Sequence, residues 1–353
     1  MTLESTLIRR AVLVGAFALV TAATITRLTV AQTPSHILLV VSSDARSLLF
    51  TDPLDGEVMG RAPLGVLPNQ VAVSADGKLA FVTNRKSDSI SVIDVAARKE
   101  LRHVDLGSGS QPHGIVFAGG KLYFTARGKK VIGCYDPASA QIVDWLLGSD
   151  PDFGDGMLVV AKDLNTIFTD NNGSDNITAF KRVSDSQGEP SWNLTVIPLG
   201  KKPNDSERQH GIDISPDGKE LWAVNPSGSL SIIDVATLQV TRTLNVPGNN
   251  LTRLKFTPDG KLVLVSNRTT AINNITTRRD ELVVLDAGAR KEIKRFELDG
   301  GVGGILVLPD SSRAYVSLTV SNDIENIDLK TLKVTSRFST GSKPEGMAWV
   351  EIR

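Results

Sequence analysis

The phrase Lys343-Pro344-Glu345-Gly346-Met347, close to the end of the chain, repeats one found inside it as Gln111-Pro112-His113-Gly114-Ile115 and as Arg208-Gln209-His210-Gly211-Ile212. Inside the chain the phrase opens a unit, whereas the first unit, near Ile37, begins without it. The two ends therefore read as parts of one shared unit. An array completed in this way is a closed ring, and a ring of small sheets is a β-propeller.

Aligned on that phrase, Asn69, His113, Asp155, His210, Thr252, Gly303 and Glu345 fall in one column, at steps of 44, 42, 55, 42, 51 and 42 residues. Steps near 40 to 50 residues suit four-stranded blades. The expected fold is all-β: a seven-bladed β-propeller of four-stranded antiparallel blades, its ring closed by a C-terminal strand that joins the N-terminal blade. Within a unit the strands read as 70–74, 79–83, 89–94 and 101–106, with a turn at Asp76-Gly77 that recurs as Pro216-Asp217-Gly218-Lys219 and Pro258-Asp259-Gly260-Lys261. Six third strands end in aspartate (Asp52, Asp94, Asp136, Asp234, Asp286 and Asp328). Such recurrence speaks for a structural role, each carboxylate accepting from the backbone of its own turn.

Phe81-Val82-Thr83-Asn84 followed by Ser89-Ile90-Ser91-Val92-Ile93-Asp94, and Trp222-Ala223-Val224-Asn225 followed by Ser229-Leu230-Ser231-Ile232-Ile233-Asp234, resemble the YVTN-type β-propeller repeat. Leu264-Val265-Ser266-Asn267 is a weaker copy. The resemblance covers 37–353 and is to the YncE-like and lactonase-like seven-bladed groups, which implies commonly exported bacterial proteins. It implies a fold more than an activity, because such folds include binders, scaffolds and enzymes.

Residues 1–31 carry Arg9 and Arg10, a 13-residue apolar run over 11–23 and the small residues Thr29-Val30-Ala31. That is the pattern of a secretory signal peptide, too short to span a bilayer, with cleavage expected near Ala31. The remainder, 32–353, reads as a single domain, exported to the periplasm or secreted, with no stable membrane span after cleavage. Thirty-nine basic and thirty-nine acidic side chains cancel, so nucleic acid is not an expected partner. Cys134 is the only cysteine, which excludes an internal disulfide, a c-type haem attachment and a multi-cysteine metal site. No Gly-rich phosphate cradle is present, so no nucleotide is expected, and no Gly-x-Ser-x-Gly or His-Glu-x-x-His motif occurs.

In a propeller the first strand of each blade lines the central channel, so the aligned column is expected to converge on one channel mouth. His113, Asp155, His210 and Glu345 would then form a two-imidazole, two-carboxylate set suited to one divalent transition metal: zinc, iron, manganese or copper. Two of the four histidines of the chain fall in this column, each followed by glycine. Asn69 lies beside them, and the loops after second strands bring Arg85, Arg127 and Arg268, with Arg253 next to the column. Such a rim can bind carboxylate or phosphate groups, or can be plain solvated surface. Two insertions, 200–209 and 268–281, should deepen this face, and 181–193 should be a flexible excursion at the opposite one.

Two functions compete. One is an exported, monomeric binding or scaffold propeller that holds a small molecule or a cell-envelope protein at the loop-rich mouth. The other is a metal-dependent lactonase-like hydrolase or lyase using the His/His/Asp/Glu set. Whether the chain is an enzyme stays open at this point.

Overall fold

The computed structural model describes residues 35–148, 156–171, 176–184, 190–199, 211–225, 228–247, 251–267 and 280–352. They form seven four-stranded antiparallel blades. The first is mixed: β28 (Pro344–Glu351) pairs with β1 (His36–Ser42), followed by β2 (Ser47–Thr51) and β3 (Val58–Pro63). The second holds β4 (Pro68–Val73), β5 (Leu79–Asn84), β6 (Ser89–Asp94) and β7 (Lys99–Asp105), within a residue or two of the strands expected from the sequence. Blade three is β8 (Pro112–Ala118), β9 (Lys121–Ala126), β10 (Val131–Asp136) and β11 (Gln141–Leu147). Blade four is β12 (Leu158–Val160), β13 (Thr166–Asp170), β14 (Asn176–Ser184) and β15 (Pro190–Pro198). Blade five is β16 (Ile212–Ile214), β17 (Glu220–Val224), β18 (Ser229–Asp234) and β19 (Gln239–Asn245). Blade six is β20 (Leu251–Phe256), β21 (Leu262–Asn267), β22 (Asp280–Asp286) and β23 (Lys291–Leu298), and blade seven is β24 (Val302–Val307), β25 (Arg313–Leu318), β26 (Asp323–Asp328) and β27 (Lys333–Ser339).

The middle strands carry the core. Along β5 and β6 nearly every residue is buried, whereas the outermost β7 is largely exposed. Side chains alternate between the two faces of a blade, and each face packs on a neighbouring blade, so both must be apolar. One cluster shows this directly: Leu39, Val41, Leu48 and Phe50 of blade one pack with Ala80, Val82 and Ile93 of blade two. Ring closure follows the sequence expectation, with Ile37 opposite Val350 and Leu39 opposite Ala348.

Each expected turn device is present. Asp52, Asp94, Asp136, Asp234, Asp286 and Asp328 accept N–H bonds of 2.7 to 2.8 Å from Leu54, Ala97, Ala138, Thr237, Ala289 and Thr331. In the Asp-Gly turns the Asp76, Asp217 and Asp259 carboxylates accept from Lys78, Lys219 and Lys261 N–H, and Gly77 and Gly218 take φ of +72° and +77°, the left-handed region that glycine enters without strain.

The repeat motif has two structural jobs. Its asparagine ties the second-to-third strand hairpin: Asn84 Nδ2 donates to Ser89 and Ser91 Oγ, and Asn225 Nδ2 to Ser229 Oγ. In blades two, three and seven a hydroxyl residue at the position equivalent to the one before Asn84 reaches the next blade. Thr83 Oγ1 donates to His113 O at 2.9 Å, Thr125 Oγ1 to Gly156 O at 3.0 Å and Ser317 Oγ to Glu345 O at 2.7 Å, clamping blades two to three, three to four and seven to one. Thr125 Oγ1 also accepts from Gly114 N at 2.9 Å. A Thr125→Val substitution keeps the shape but strands a buried donor and a buried acceptor, each worth about 1–3 kcal/mol when left unmade. The urea midpoint is expected to fall accordingly, and an unchanged midpoint would show that the clamp does not stabilise the ring.

One expectation is corrected. The insertion 181–193 is not a loop excursion over its described part: Arg182, Val183 and Ser184 pair with Trp192, Ser191 and Pro190, extending the β14–β15 hairpin beyond β13. Alternating Phe180, Trp192 and Leu194 pack against blade three, and Trp192 Nε1 donates to Asp144 at 3.2 Å. The Ser, Gln and Gly content of the segment masks that alternation in the sequence.

No helix among the described residues is long and apolar enough to cross a membrane. The leader read in 1–31 lies outside the described residues.

Candidate functional site at the central channel

The shared opening phrase is a β-bulge. The register of first against second strand slips between Pro68 and Val71, Pro112 and Ile115, Leu251 and Leu254, and Val302 and Gly304, and β28 bulges at Glu345-Gly346 opposite Val41. Asn69, His113, Thr252, Gly303 and Glu345 therefore occupy equivalent bulge positions at one end of the ring. Glycine follows because the next blade is too close for a side chain: a Cβ on Gly114 would stand 2.8 Å from Gly156 O, and one on Gly346 would stand 2.9 Å from Asn69 O.

A channel of about 440 Å³ runs along the axis, lined from all seven blades, with Val71, Ile115, Leu158, Ile212, Leu254, Ile305 and Met347 making it largely apolar. Its polar groups are few: Gln70, Lys162, Asp213, Ser215, Arg253 and Lys255. Lys255 Nζ lies 3.1 Å from each oxygen of Asp213, which also accepts Phe256 N–H at 2.9 Å, so this pair neutralises itself inside the channel. Arg253 Nε donates to Gly303 O at 3.0 Å, fixing its guanidinium on the wall between blades six and seven.

The bulge side chains sit beside this channel. His113, Thr252 and Glu345 are buried, Asn69 is half-buried and accepts from Gln70 Nε2, and Glu345 faces Lys343 at 3.9 Å. None of these four lines the 440 Å³ channel. Asp155, His210 and Arg268 lie outside the described residues, and so do the insertions 200–209 and 268–279. Among the described residues no group of three His, Cys, Asp or Glu side chains could hold a metal ion. Arg85 and Arg127 stand at the same end as the bulges: Arg85 N bonds Leu67 O, and Arg127 follows Ala126, which pairs with Pro112.

The residue that sequence reasoning missed is Asp170, at the end of β13. Aligned on the hairpin asparagines Asn84 and Asn171, whose Nδ2 groups bond the residues five and seven positions on, Asp170 takes the place of the clamp hydroxyl Thr83. It performs the same crossing with a carboxylate: Oδ2 accepts from Gly211 N of blade five at 2.8 Å. Gly156 leaves the space that the carboxylate fills, since a Cβ there would lie 1.5 Å from Asp170 Oδ1. Burial pushes the carboxyl up to about 7, against the opposing pull of the Gly211 amide and the Arg253 charge. The signal is available in the sequence, because the equivalent positions 83, 125, 266 and 317 are Thr or Ser, 41 and 224 are Val, and 170 alone is acidic.

No protein-family profile and no curated protein matches the chain. Solved structures do. A Desulfotomaculum acetoxidans protein of unknown function superposes with a TM-score of 0.71 at 14% identity, over 89% of this chain and 99% of its own. A candidate 6-phosphogluconolactonase of Bacteroides fragilis gives 0.70 at 17% identity, over 90% and 99%. The Pseudomonas aeruginosa periplasmic gluconolactonase gives 0.69 at 14% identity, over 89% and 99%. Its structural neighbours are 6-phosphogluconolactonase-like seven-bladed propellers, and at these identities the likeness establishes the fold.

Proposed function

We propose that this protein is a lactonase-like hydrolase acting at the bulge end of the central channel, with Asp170 as general base and Arg253 as electrostatic partner. The observation that carries this reading is the carboxyl in place of a clamp hydroxyl. Thr83, Thr125 and Ser317 cross the same kind of blade junction without the cost of burying an ionisable group, and a carboxyl poised near neutrality is what base catalysis asks for. Lactonase structures among the fold neighbours support the choice of reaction class.

In the proposed step Asp170 takes a proton from water as the water oxygen bonds to the lactone carbonyl. Negative charge grows on the carbonyl oxygen, where the Arg253 guanidinium stabilises it. The ring C–O bond then breaks, and the departing alkoxide recovers the proton held by Asp170. The product is an open-chain hydroxy acid.

A panel of sugar-acid and simple lactones, followed by acid release, tests this. The expected result is turnover in the wild type and a loss of about 10²–10⁴-fold in Asp170→Asn at unchanged folding. Equal rates in both proteins would end the assignment. A metal held by His113, Asp155, His210 and Glu345 is a separate proposal, and turnover measured before and after chelation distinguishes it from the metal-independent step above. The binding or scaffold reading, favoured by the apolar channel wall, predicts ligand capture with no turnover in either protein. Export and membership of the YVTN-repeat group complete the proposal, supported by the leader pattern over 1–31 and by the motif copies at 81–84 and 222–225.

A further inference from the structure

Every blade of a propeller ends in an open strand whose outward N–H and C=O groups can pair with another chain. Six of the seven outer strands here are blunted in two ways. The register of β3, β7, β11, β19, β23 and β27 against its inner neighbour is broken by a bulge. Each also carries at least one charged side chain, from Arg61 alone on β3 to five on β23. Bulges and charges are the devices that keep sheet edges apart.

The exception is β15. It pairs with β14 over nine residues, Asn176 opposite Pro198 through Ser184 opposite Pro190, with no register shift, and it contains no charged residue. Its last three pairs overhang β13, so this edge extends beyond the rest of its blade. Proline lacks an N–H and is tolerated in a sheet only where its nitrogen faces away from the ladder. Pro190 and Pro198 therefore set the parity and blunt the two ends of the edge, while between them Trp192, Leu194 and Val196 direct their N–H and C=O groups outward.

We infer that β15 is a self-complementary edge through which two copies of this chain pair antiparallel about a two-fold axis at Leu194, joining two blades into one continuous sheet. In that register Trp192 lies opposite the second copy's Val196, Leu194 meets Leu194, and exposed Asn193 meets exposed Thr195. Aromatic against β-branched, apolar against apolar and amide against hydroxyl are all favourable cross-strand pairs, and no like charges meet. Two other edges poor in charge, β11 and β19, fail this test, because a two-fold at the centre of each would set Asp144 against Asp144 or Arg242 against Arg242. An isologous contact of this kind closes on itself and stops at two copies.

The interface is small, so association should depend visibly on concentration. Sedimentation velocity of the full-length mature protein across a concentration series is expected to show a monomer–dimer equilibrium. The N193K/T195K variant places like charges in direct opposition and is expected to sediment as a monomer at every concentration. N193E/T195E should behave likewise, while an equimolar mixture of the two regains a heterodimer. Both positions are exposed, so their melting temperatures should match the wild type. A wild type that is monomeric throughout, a dimer that survives in both variants, or a mixture that stays monomeric would each overturn the inference, whatever the fate of the hydrolase assignment. The sequence-based expectation of a monomer predicts the first of these results.

Discussion

Deleting 343–353 is expected to abolish the cooperative melting transition. The segment removes β28, the innermost strand of the first blade, and with it Met347, Ala348 and Val350, all buried. Met347 and Val350 alone forfeit roughly 1.5–3 kcal/mol each of apolar burial. The clamp from Ser317 to Glu345 O disappears, as does the bond from Ser43 N to Lys343 O that holds the junction. Leu38, Leu39 and Val40, fully buried in the intact ring, would face solvent on a new sheet edge. Against a total stability of about 5–15 kcal/mol this is a large fraction, and the exposed edge adds aggregation. Circular dichroism melts check it, and a synthetic 343–353 peptide supplied in trans should restore the transition by strand addition. A truncated protein that melts within a few degrees of the parent would contradict ring closure as a source of stability.

The second large effect couples stability to chemistry at Asp170. Its carboxyl titrates near 7 in the folded protein against 3.8 for an unperturbed aspartate. Between those values the native state holds a proton that the unfolded state has released, so this group makes stability fall as pH rises from about 4 to 7 and level off above. The full span is on the order of 4 kcal/mol. An amide in place of the carboxyl cannot ionise, yet its side-chain oxygen still accepts the Gly211 N–H. Asp170→Asn is therefore expected to be more stable than wild type above pH 7 and nearly equal to it at pH 4, while losing turnover. Urea midpoints of both proteins across this pH range measure the difference. A constant difference would mean that the carboxyl is not held protonated. In the wild type the proposed hydrolysis should rise with pH around the same midpoint, because only the ionised form is a base.

Fold and site differ in how much of them the sequence carries, and the reason is physical. The blade count and the ring closure rest on backbone devices that need particular residues at fixed intervals: Asp at turns, Gly where blades meet, Thr or Ser and Asn at the clamp and hairpin. Those residues recur, so alignment within one chain exposes them. The site depends on departures from the repeat, and a departure is visible only once the role of the common residue is known. Asp170 escapes notice in the sequence because the hydroxyl at 83, 125 and 317 has no assigned task until its reach to the next blade is seen. The column through His113 and Glu345 aligns correctly, but the bulge that re-aims its side chains has no sequence signature beyond the glycine that follows. For 181–193 the turn-rich composition masks a strand whose anchor, Trp192 on Asp144, is a contact between blades.

Ring closure also sets a clock. β1 is synthesised before every other strand of the ring, yet its partner β28 is made after all of them. At about 5–20 residues per second the intervening stretch of roughly 300 residues takes tens of seconds to emerge, during which Leu38, Leu39 and Val40 wait beside an empty edge. The nascent chain must be kept from pairing wrongly for that whole interval, so its yield in a cell is governed by elongation rate and chaperone supply as much as by the stability of the finished ring.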